Sequence, residues 1–383
     1  MEENIREQKK QSTVKRLCKR WFIDAFGGMS MGLFATLIAG TILAQIAALI
    51  GTDNFVGNLL NSVATVAKTL MGAGIGVGIA YALKCDKLTI FSCAVAGFVG
   101  ANAVGWAWNA DFAIGFAIGN PIGAYVCALI AAEVCSLYAG KTKLDILLIP
   151  LGAMLIACVV STTVCPPIKW LVDMIGRGIA VATAWSPFLM GIVIAVVMGV
   201  LLTMPTSSAA IWVAVSSTVV AGGGADADAM LLAGGAAVVG CACQMMGFAA
   251  MSYKENGLSG FIAQGLGTSM LQIPNIMKNG RILLPPTIAS ALLGPVATCI
   301  FKLRCGPSGG GMGTSGLVGV VDTIAQSSGK VDTFVLVVGV ILLLFVLPSV
   351  LTWAFGLLFR KIGWIKEGDL KLELAAKKKE ENQ

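Results

Sequence analysis

The sequence predicts an all-α integral membrane protein with about ten transmembrane helices, two re-entrant hairpins and an interfacial amphipathic helix. Of its 383 residues, 57% are hydrophobic and only 12% are charged. Soluble domains carry about twice that fraction of charge, so the chain lacks the charge to cover a water-facing surface. Its apolar runs are about 18 to 25 residues long, the length at which a helix crosses a hydrocarbon core. Apolar and polar residues do not alternate within these runs, as they do in the strands of membrane barrels.

Positive charge lies mainly at the two ends of the chain. Basic residues cluster in residues 1–20 and again in residues 361–383, which contain the run Lys377, Lys378 and Lys379. Basic residues that flank the first and last spans predict that both ends are cytoplasmic. The net charge of +7 is thus explained by membrane topology. The lipid bilayer is an expected partner, and nucleic acid is not.

Five spans are predicted in the first half. They cover residues 27–50, 59–83, 88–107, 112–139 and 144–164. Lys84 and Lys141 follow the two spans that return to the cytoplasm, so the alternation agrees with the positive-inside rule. Within the fourth span, Asn120 and Pro121 predict a kink, because proline has no N–H for the helical hydrogen bonds.

The segment 168–184 predicts the amphipathic helix, lying in the interface or linking two halves, because its apolar residues recur at helical spacing. A polar loop is the alternative. Five further apolar runs follow, at 186–203, 208–222, 228–251, 281–301 and 332–359. The segments 257–275 and 306–325 between them are apolar, but too short or too glycine-rich to span. They predict re-entrant hairpins, because irregular backbone at membrane depth must be buried in protein or line a wet cavity.

A repeated motif lies in these two short segments. Gly265–Ser269 and Gly311–Ser315 both read G-x-G-T-S, and Pro205–Ser208 is a looser relative. Glycine lets the backbone approach a ligand closely, and Thr and Ser hydroxyls both donate and accept hydrogen bonds. Broken helices of this kind indicate a transporter site near the membrane midplane. The alternative is ordinary packing of small residues between helices.

We therefore predict a solute site made of hydroxyls, amides, one carboxylate and glycine backbone. The candidate residues are Thr206, Ser207, Gln244, Glu255, Asn256, Gly267, Thr268, Ser269, Gln272, Asn275, Ser308, Gly313, Thr314 and Ser315. Glu255 is the first choice as acceptor for a solute hydroxyl, and an ion pair with Lys254 in a cytoplasmic loop is its alternative role. In the first half, Lys68 and Glu133 lie within spans and either serve function or extend toward opposite interfaces.

No catalytic residue, metal site or cofactor is predicted. The chain has no histidine, and most of its 11 cysteines lie inside apolar runs. Cys241 and Cys243 form a C-x-C pair, which we interpret as packing residues rather than a metal or redox pair. The sequence shows no nucleophile paired with a base and no phosphate-binding loop, so an enzyme acting alone is not expected.

Four stretches together resemble the membrane-embedded EIIC component of the sugar phosphotransferase system, and most closely its perfringolysin-regulator-like branch. They are Gly119–Ala124, Thr203–Ala210, Gly265–Met270 with Ile273–Asn275, and Pro307–Ser315. The resemblance implies a homodimer with an EIIC-like architecture of two halves. It also implies a basic cytoplasmic N-terminus at 1–20, a scaffold and dimerisation half at 21–184, a transport half at 185–360 and a charged cytoplasmic tail at 361–383.

The resemblance further implies a transporter in the bacterial cytoplasmic membrane that moves a sugar or related polar solute by elevator-like alternating access. Ordinary members phosphorylate the sugar through a soluble IIB domain, and many place a histidine beside it. This sequence shows neither feature, so any phosphorylation would need separate IIA and IIB partners. A membrane sensor or regulator on the same scaffold, or a transporter of a non-sugar solute, is the alternative.

Overall fold

A computed structural model describes residues 16–17, 19–51, 54–102, 120–142, 144–204 and 207–372. Helices dominate throughout these ranges, and the β-structure found there is one isolated bridge between Ser328 and Val331. The all-α class predicted from the sequence is therefore confirmed.

Seventeen α-helices lie in the described ranges, numbered here in chain order. They are α1 Ala25–Leu33, α2 Ala39–Ile50, α3 Phe55–Thr69, α4 Met71–Ala82, α5 Lys87–Asn102, α6 Pro121–Tyr138, α7 Asp145–Thr163, α8 Cys165–Trp185, α9 Pro187–Thr203, α10 Ser208–Ala221, α11 Gly224–Met251, α12 Tyr253–Ile262, α13 Ile273–Lys278, α14 Leu284–Pro295, α15 Val318–Ser327, α16 Thr333–Ile341 and α17 Leu347–Lys361. π-Helical turns occupy Arg20–Asp24, Phe34–Ile38, Ala263–Gly267, Val296–Ile300 and Leu342–Val346, and 3₁₀ turns occupy Ser269–Gln272, Gly280–Leu283 and Ser315–Leu317.

The predicted apolar runs all contain helix where the structure describes them. Six helical stretches are long and apolar enough to cross a membrane: Arg20–Ala44, Pro121–Tyr138, Asp145–Thr163, Gly224–Met251, Gly280–Ile300 and Thr333–Lys361. A seventh arises if α3 and α4, bent by 52°, count as one span, and α5, α9 and α10 are shorter apolar helices. The multi-pass character is thus confirmed, while ten crossings stay a prediction.

The chain divides into two compact units. The first comprises Met1–Gly178 and Ala209–Ala227, and the second comprises Ile179–Ser208 and Asp228–Gln383. Most of α10 therefore belongs to the first unit, although α9, which precedes it in the chain, belongs to the second. The roles of scaffold and transport halves stay predictions.

Glycine pairs bring α1 and α4 into backbone contact in the first unit. A Cβ atom added at Gly28 would clash with the carbonyl of Gly78, and one at Gly32 would clash with the carbonyl of Gly74. Lipid tails are as apolar as leucine, so apolar burial does not drive such helices together. Close approach of backbones across small residues supplies the packing instead.

The second unit is built around α11, whose most apolar window is 89% buried. Gly240 of α11 packs directly on the backbone of Ala195 in α9, and Gly294 of α14 packs on Gly191 of the same helix. An apolar core joins α11, α14, α16 and the π turn that follows α16. Its buried members include Val238, Val239, Ala242, Ala289, Leu293, Leu303, Leu336, Leu343 and Leu344.

Two local predictions have clear outcomes. The segment 168–184 lies inside α8, so the helix is confirmed, the loop alternative is wrong, and its place in the interface stays a prediction.

The kink predicted inside the fourth span is wrong, because α6 begins at Pro121. Asn120 caps this helix by accepting the N–H groups of Ile122 and Gly123 at 2.8 and 3.2 Å. Proline suits the first helical position, where its missing N–H has no helical partner to lose. The predicted start of that span lies outside the described residues.

Candidate functional site

The two G-x-G-T-S motifs lie against each other in the second unit. Thr314 donates its hydroxyl to the carbonyl of Gly265 at 2.5 Å, and Ser315 donates to the carbonyl of Gly267 at 2.9 Å. Both hydroxyls of the second motif therefore bind backbone of the first. The repeated sequence forms one paired element, which we call the paired motifs.

The first motif interrupts a helix, as its glycine-rich sequence predicts. The chain passes from α12 through a π turn into an extended residue, Thr268, and then into a 3₁₀ turn. The Thr268 hydroxyl caps this turn by accepting the N–H of Met270 at 3.2 Å. Pro274 lies in the first turn of α13, where proline is tolerated.

The second motif lies on irregular backbone between the π turn after α14 and α15. Gly313 has a φ of 59°. A Cβ atom there would lie 2.8 Å from the backbone of Cys241 in α11. Glycine is needed at this position both for the left-handed backbone and for the close approach to α11.

The last residue of the looser relative of the motif, Ser208, also bonds the second motif. Ser208 donates its hydroxyl to the carbonyl of Gly311 at 2.7 Å. Its neighbour Ser207 is buried, with 8% of its surface exposed, and Ser308 is half-buried in the loop before the second motif. The predicted site residue Thr206 lies outside the described residues.

A chain of buried polar side chains supports the first motif. The hydroxyls of Ser269 and Thr203 lie 3.0 Å apart, and Thr203 donates to Gln244 Oε1 at 3.3 Å. The Gln244 Nε2 then donates to the hydroxyl of Thr287 at 3.1 Å. Gln244 stands in an otherwise apolar stretch of α11, and a buried amide is costly unless such partners satisfy it.

The candidates differ in how far they are exposed on the surface of the protein. Gln244, Ser269, Gln272 and Thr314 are fully buried. Thr268 and Ser315 are half-buried, and Gly267 is exposed. Gly267, Thr268 and Ser315 therefore form the accessible edge of the paired motifs, and the buried groups hold that edge in place.

Glu255 is engaged by the C-terminal part of the chain. Its Oε1 accepts from Arg360 Nη2 at 2.8 Å, and its Oε2 accepts the N–H of Leu370 at 3.0 Å. The alternative partner, Lys254, instead bonds Glu367 at 3.2 Å. Both carboxylate oxygens of Glu255 thus have protein donors in this structure, and its role as a solute acceptor stays a prediction.

The predicted amides form a connected network beside the first motif. Gln272 Nε2 donates to Gln264 Oε1 at 2.8 Å and to the carbonyl of Leu370 at 3.1 Å. Asn275 Nδ2 donates to Gln272 Oε1 at 2.8 Å. Asn256 Nδ2 also donates to the Leu370 carbonyl, at 2.8 Å. These amides bind protein partners in this structure.

Sequence reasoning missed Asp322 in α15. Its side chain is 3% exposed, and its Oδ2 accepts the N–H of Gly309 at 2.6 Å. The thiol of Cys305 lies 3.7 Å from the same oxygen. The available signal was an acidic residue within an apolar stretch directly after the second motif. An ionisable residue at such a place is a functional hypothesis by default.

Glu133 pairs within the first unit. It accepts from Arg20 Nε at 2.6 Å and from Trp21 Nε1 at 3.1 Å. Beside it lies a cavity of about 640 Å³ that is lined mostly by apolar side chains. The polar side chains in its lining, Tyr125 and Glu133, bond Trp21 and Arg20. In the part of the chain that the structure describes, no cluster of three or more His, Cys, Asp or Glu could hold a metal ion.

Comparison with known families covers both units. A sequence model described as "Phosphotransferase system, EIIC" matches residues 23–372. No curated protein matches the chain, and no solved structure matches it. The matched range contains the paired motifs and extends through the segment that bonds Glu255.

Proposed function

The chain belongs to the EIIC family of the phosphotransferase system, and we propose that it carries a sugar or related polar solute across the bacterial cytoplasmic membrane. The proposed mechanism is elevator-like alternating access by a homodimer, in which the second unit carries the solute. The family supports a membrane component of a sugar transport system, and the apolar helices support a multi-pass protein.

The observation that carries this proposal is the pairing of the two G-x-G-T-S motifs. Pairing places two half-buried hydroxyls and an exposed glycine on one edge, backed by buried polar groups. Broken helices that present such groups are the best pointer to a transporter site. A solute rich in hydroxyls fits an edge that is polar and carries no net charge.

The hydrogen bonds of this edge leave one hydroxyl donor and one hydroxyl acceptor for a solute. Thr268 uses its oxygen to accept the Met270 N–H, so its hydroxyl proton remains for donation to a solute. Ser315 uses its proton on the carbonyl of Gly267, so its remaining lone pair accepts. A hydroxyl group both donates and accepts, so a sugar hydroxyl suits either side chain.

Any phosphorylation of the solute is assigned in this proposal to separate soluble proteins of the phosphotransferase system. The EIIC match takes up residues 23–372. The chain contains no histidine to stand beside the sugar. In the proposed mechanism, transport through the membrane and transfer of phosphate are carried out by different proteins.

A thermal-shift screen tests the proposal. A solute that binds only the folded state raises the melting temperature by mass action. The panel contains neutral sugars, polyols, sugar phosphates and small anions, and the site variant replaces Thr268, Ser269, Thr314 and Ser315 together. We expect at least one neutral sugar to stabilise the native protein and to leave this variant unshifted, with the dimer intact.

A matched control removes hydroxyls elsewhere. Ser62 and Thr65 are exposed on α3 and bond carbonyls of their own helix. Ser62→Ala with Thr65→Val should keep the full thermal shift. An unchanged shift in the fourfold site variant would show that the site assignment is wrong. Shifts by anions alone would show that the solute class is wrong.

A further inference from the structure

The chain folds back onto the second unit after α17. Residues 362–372 run without regular helix, and Ile365 and Leu370 are buried in an apolar cluster with Phe248 and Ile282. Leu370 is completely buried. We call Trp364–Leu372 the C-terminal segment. Burial of its apolar side chains shows that it is a packed part of this unit.

The C-terminal segment is bound chiefly through its main chain. Five hydrogen bonds join the N–H and carbonyl groups of 370–372 to four polar side chains around the first motif. These side chains are Glu255, Asn256, Gln272 and Asn275. Four of the residues proposed from sequence as solute ligands therefore share one protein partner.

These bonds lead directly to the base of the first motif. The loop 264–272 begins and ends with glutamines whose side chains bond each other at 2.8 Å, so the loop is closed at its base. Gln264 is itself held by the Ser252 hydroxyl at 2.8 Å. Gln272 uses the same Nε2 for Gln264 and for the Leu370 carbonyl. The C-terminal segment thus fixes the amide that closes the loop.

We propose that the C-terminal segment is a positioning element of the solute site. It holds loop 264–272 in the conformation in which Thr268 faces the solute and Gly265 and Gly267 accept the hydroxyls of the second motif. Only the identity of the bound solute rests on the proposed function; the mechanical link does not. Because this end of the chain is predicted to be cytoplasmic, the segment connects a cytoplasmic surface to the site.

The ion pair of Glu255, which takes part in this link, is much more buried than the neighbouring ion pair of Lys254. The pair Glu255–Arg360 has side-chain exposures of 11% and 19%, whereas the neighbouring pair Lys254–Glu367 has 76% and 84%. Exposed pairs contribute little, and a broken buried pair leaves an uncompensated charge. Adjacent positions therefore supply a matched test and control.

Hydrogen exchange of the purified full chain in detergent, followed by mass spectrometry, tests the proposal. Glu255→Gln should speed exchange of amides in 263–275 by about tenfold, because local opening becomes easier when the segment is released. Lys254→Gln should leave the exchange unchanged. A chain ending at Gly363 should behave like Glu255→Gln, and a chain ending at Leu372 should behave like the full chain.

Two results would overturn the proposal. Amides 264–272 that exchange as in the native protein, while the C-terminal segment itself is released, would show that the segment does not position the loop. Faster exchange everywhere, including α9 and α14, would show that it is a general stabiliser of the unit. No solute is added, so either result is independent of whether the chain transports a sugar.

Discussion

At the residue scale, Asp322 holds the loop that leads into the second motif. Its carboxylate accepts the N–H of Gly309 and lies beside the thiol of Cys305, and its side chain is almost completely buried. A Cβ atom at Gly309 would lie 2.8 Å from Asp322 Oδ2, so glycine permits this contact. The carboxylate therefore organises the backbone that leads into the second motif.

Asp322→Asn should lower the free energy of unfolding by about 1 to 3 kcal/mol, because a charged acceptor is replaced by an amide whose N–H₂ group faces other donors. Asp332→Asn is the matched control. Asp332 caps α16 by accepting the Phe334 N–H at 2.9 Å, and asparagine caps about as well as aspartate. Denaturation in mixed micelles measures both variants. Equal losses of stability would contradict the assignment.

The hydroxyls of the paired motifs should separate into two classes. Thr268→Val with Ser315→Ala changes the accessible edge, so it should weaken sugar binding at least tenfold, and it should cost less stability than the buried pair because both residues are partly exposed. Ser269→Ala with Thr314→Val removes buried bonds, so it should cost about 1 to 2 kcal/mol of stability. Isothermal calorimetry and thermal denaturation measure the two effects. Identical behaviour of the two pairs would refute the division.

At this scale the sequence predicts the hydroxyl residues of the motifs, but it does not predict the distant residues that bond the side chains around them. Thr268, Ser269, Thr314 and Ser315 stand in a repeated local pattern, which is readable from the sequence. Glu255 is predicted as a solute acceptor because it precedes that pattern. Its partner Leu370 lies 115 positions away, and no local signal indicates a contact at that distance.

At the element scale, helix contacts in the first unit depend on the side of the helix on which glycine lies. Gly28 faces the backbone of α4, whereas nothing lies within 4 Å of a Cβ atom at Gly27. Gly28→Ala should lower stability by about 1 to 3 kcal/mol, as overpacking does. Gly27→Ala should be neutral or stabilising, because alanine favours helix by up to about 1 kcal/mol. Thermal denaturation distinguishes them, and equal effects would contradict the packing.

Element boundaries were predictable where the signal is local. Apolar residues at helical spacing predict the helix within α8, and the glycine-rich first motif predicts a break after α12. The same reasoning misplaced Pro121 in a helix interior. An Asn-Pro pair also fits a helix start, where Asn120 caps and proline begins the first turn. The sequence pattern alone does not distinguish these two roles.

At the scale of the whole molecule, the order of the helices along the chain does not predict which helices pack together in each compact unit. Composition predicted a multi-pass helical protein, because the shortage of charge applies to the entire chain. The packing of Ala209–Ala227 with the first unit interrupts the second. Such packing depends on contacts between distant helices, which hydropathy does not encode.

We propose that this EIIC protein carries a neutral sugar through a site at the paired motifs. The most direct measurement is counterflow of a radiolabelled neutral sugar, chosen from the thermal-shift hits, into liposomes that contain the purified protein. We predict exchange by the native chain and by the Ser62→Ala, Thr65→Val control, and none by the fourfold variant of Thr268, Ser269, Thr314 and Ser315. Binding without exchange by the native chain would contradict transport and indicate a sensor, and exchange by the fourfold variant at the native rate would contradict the site.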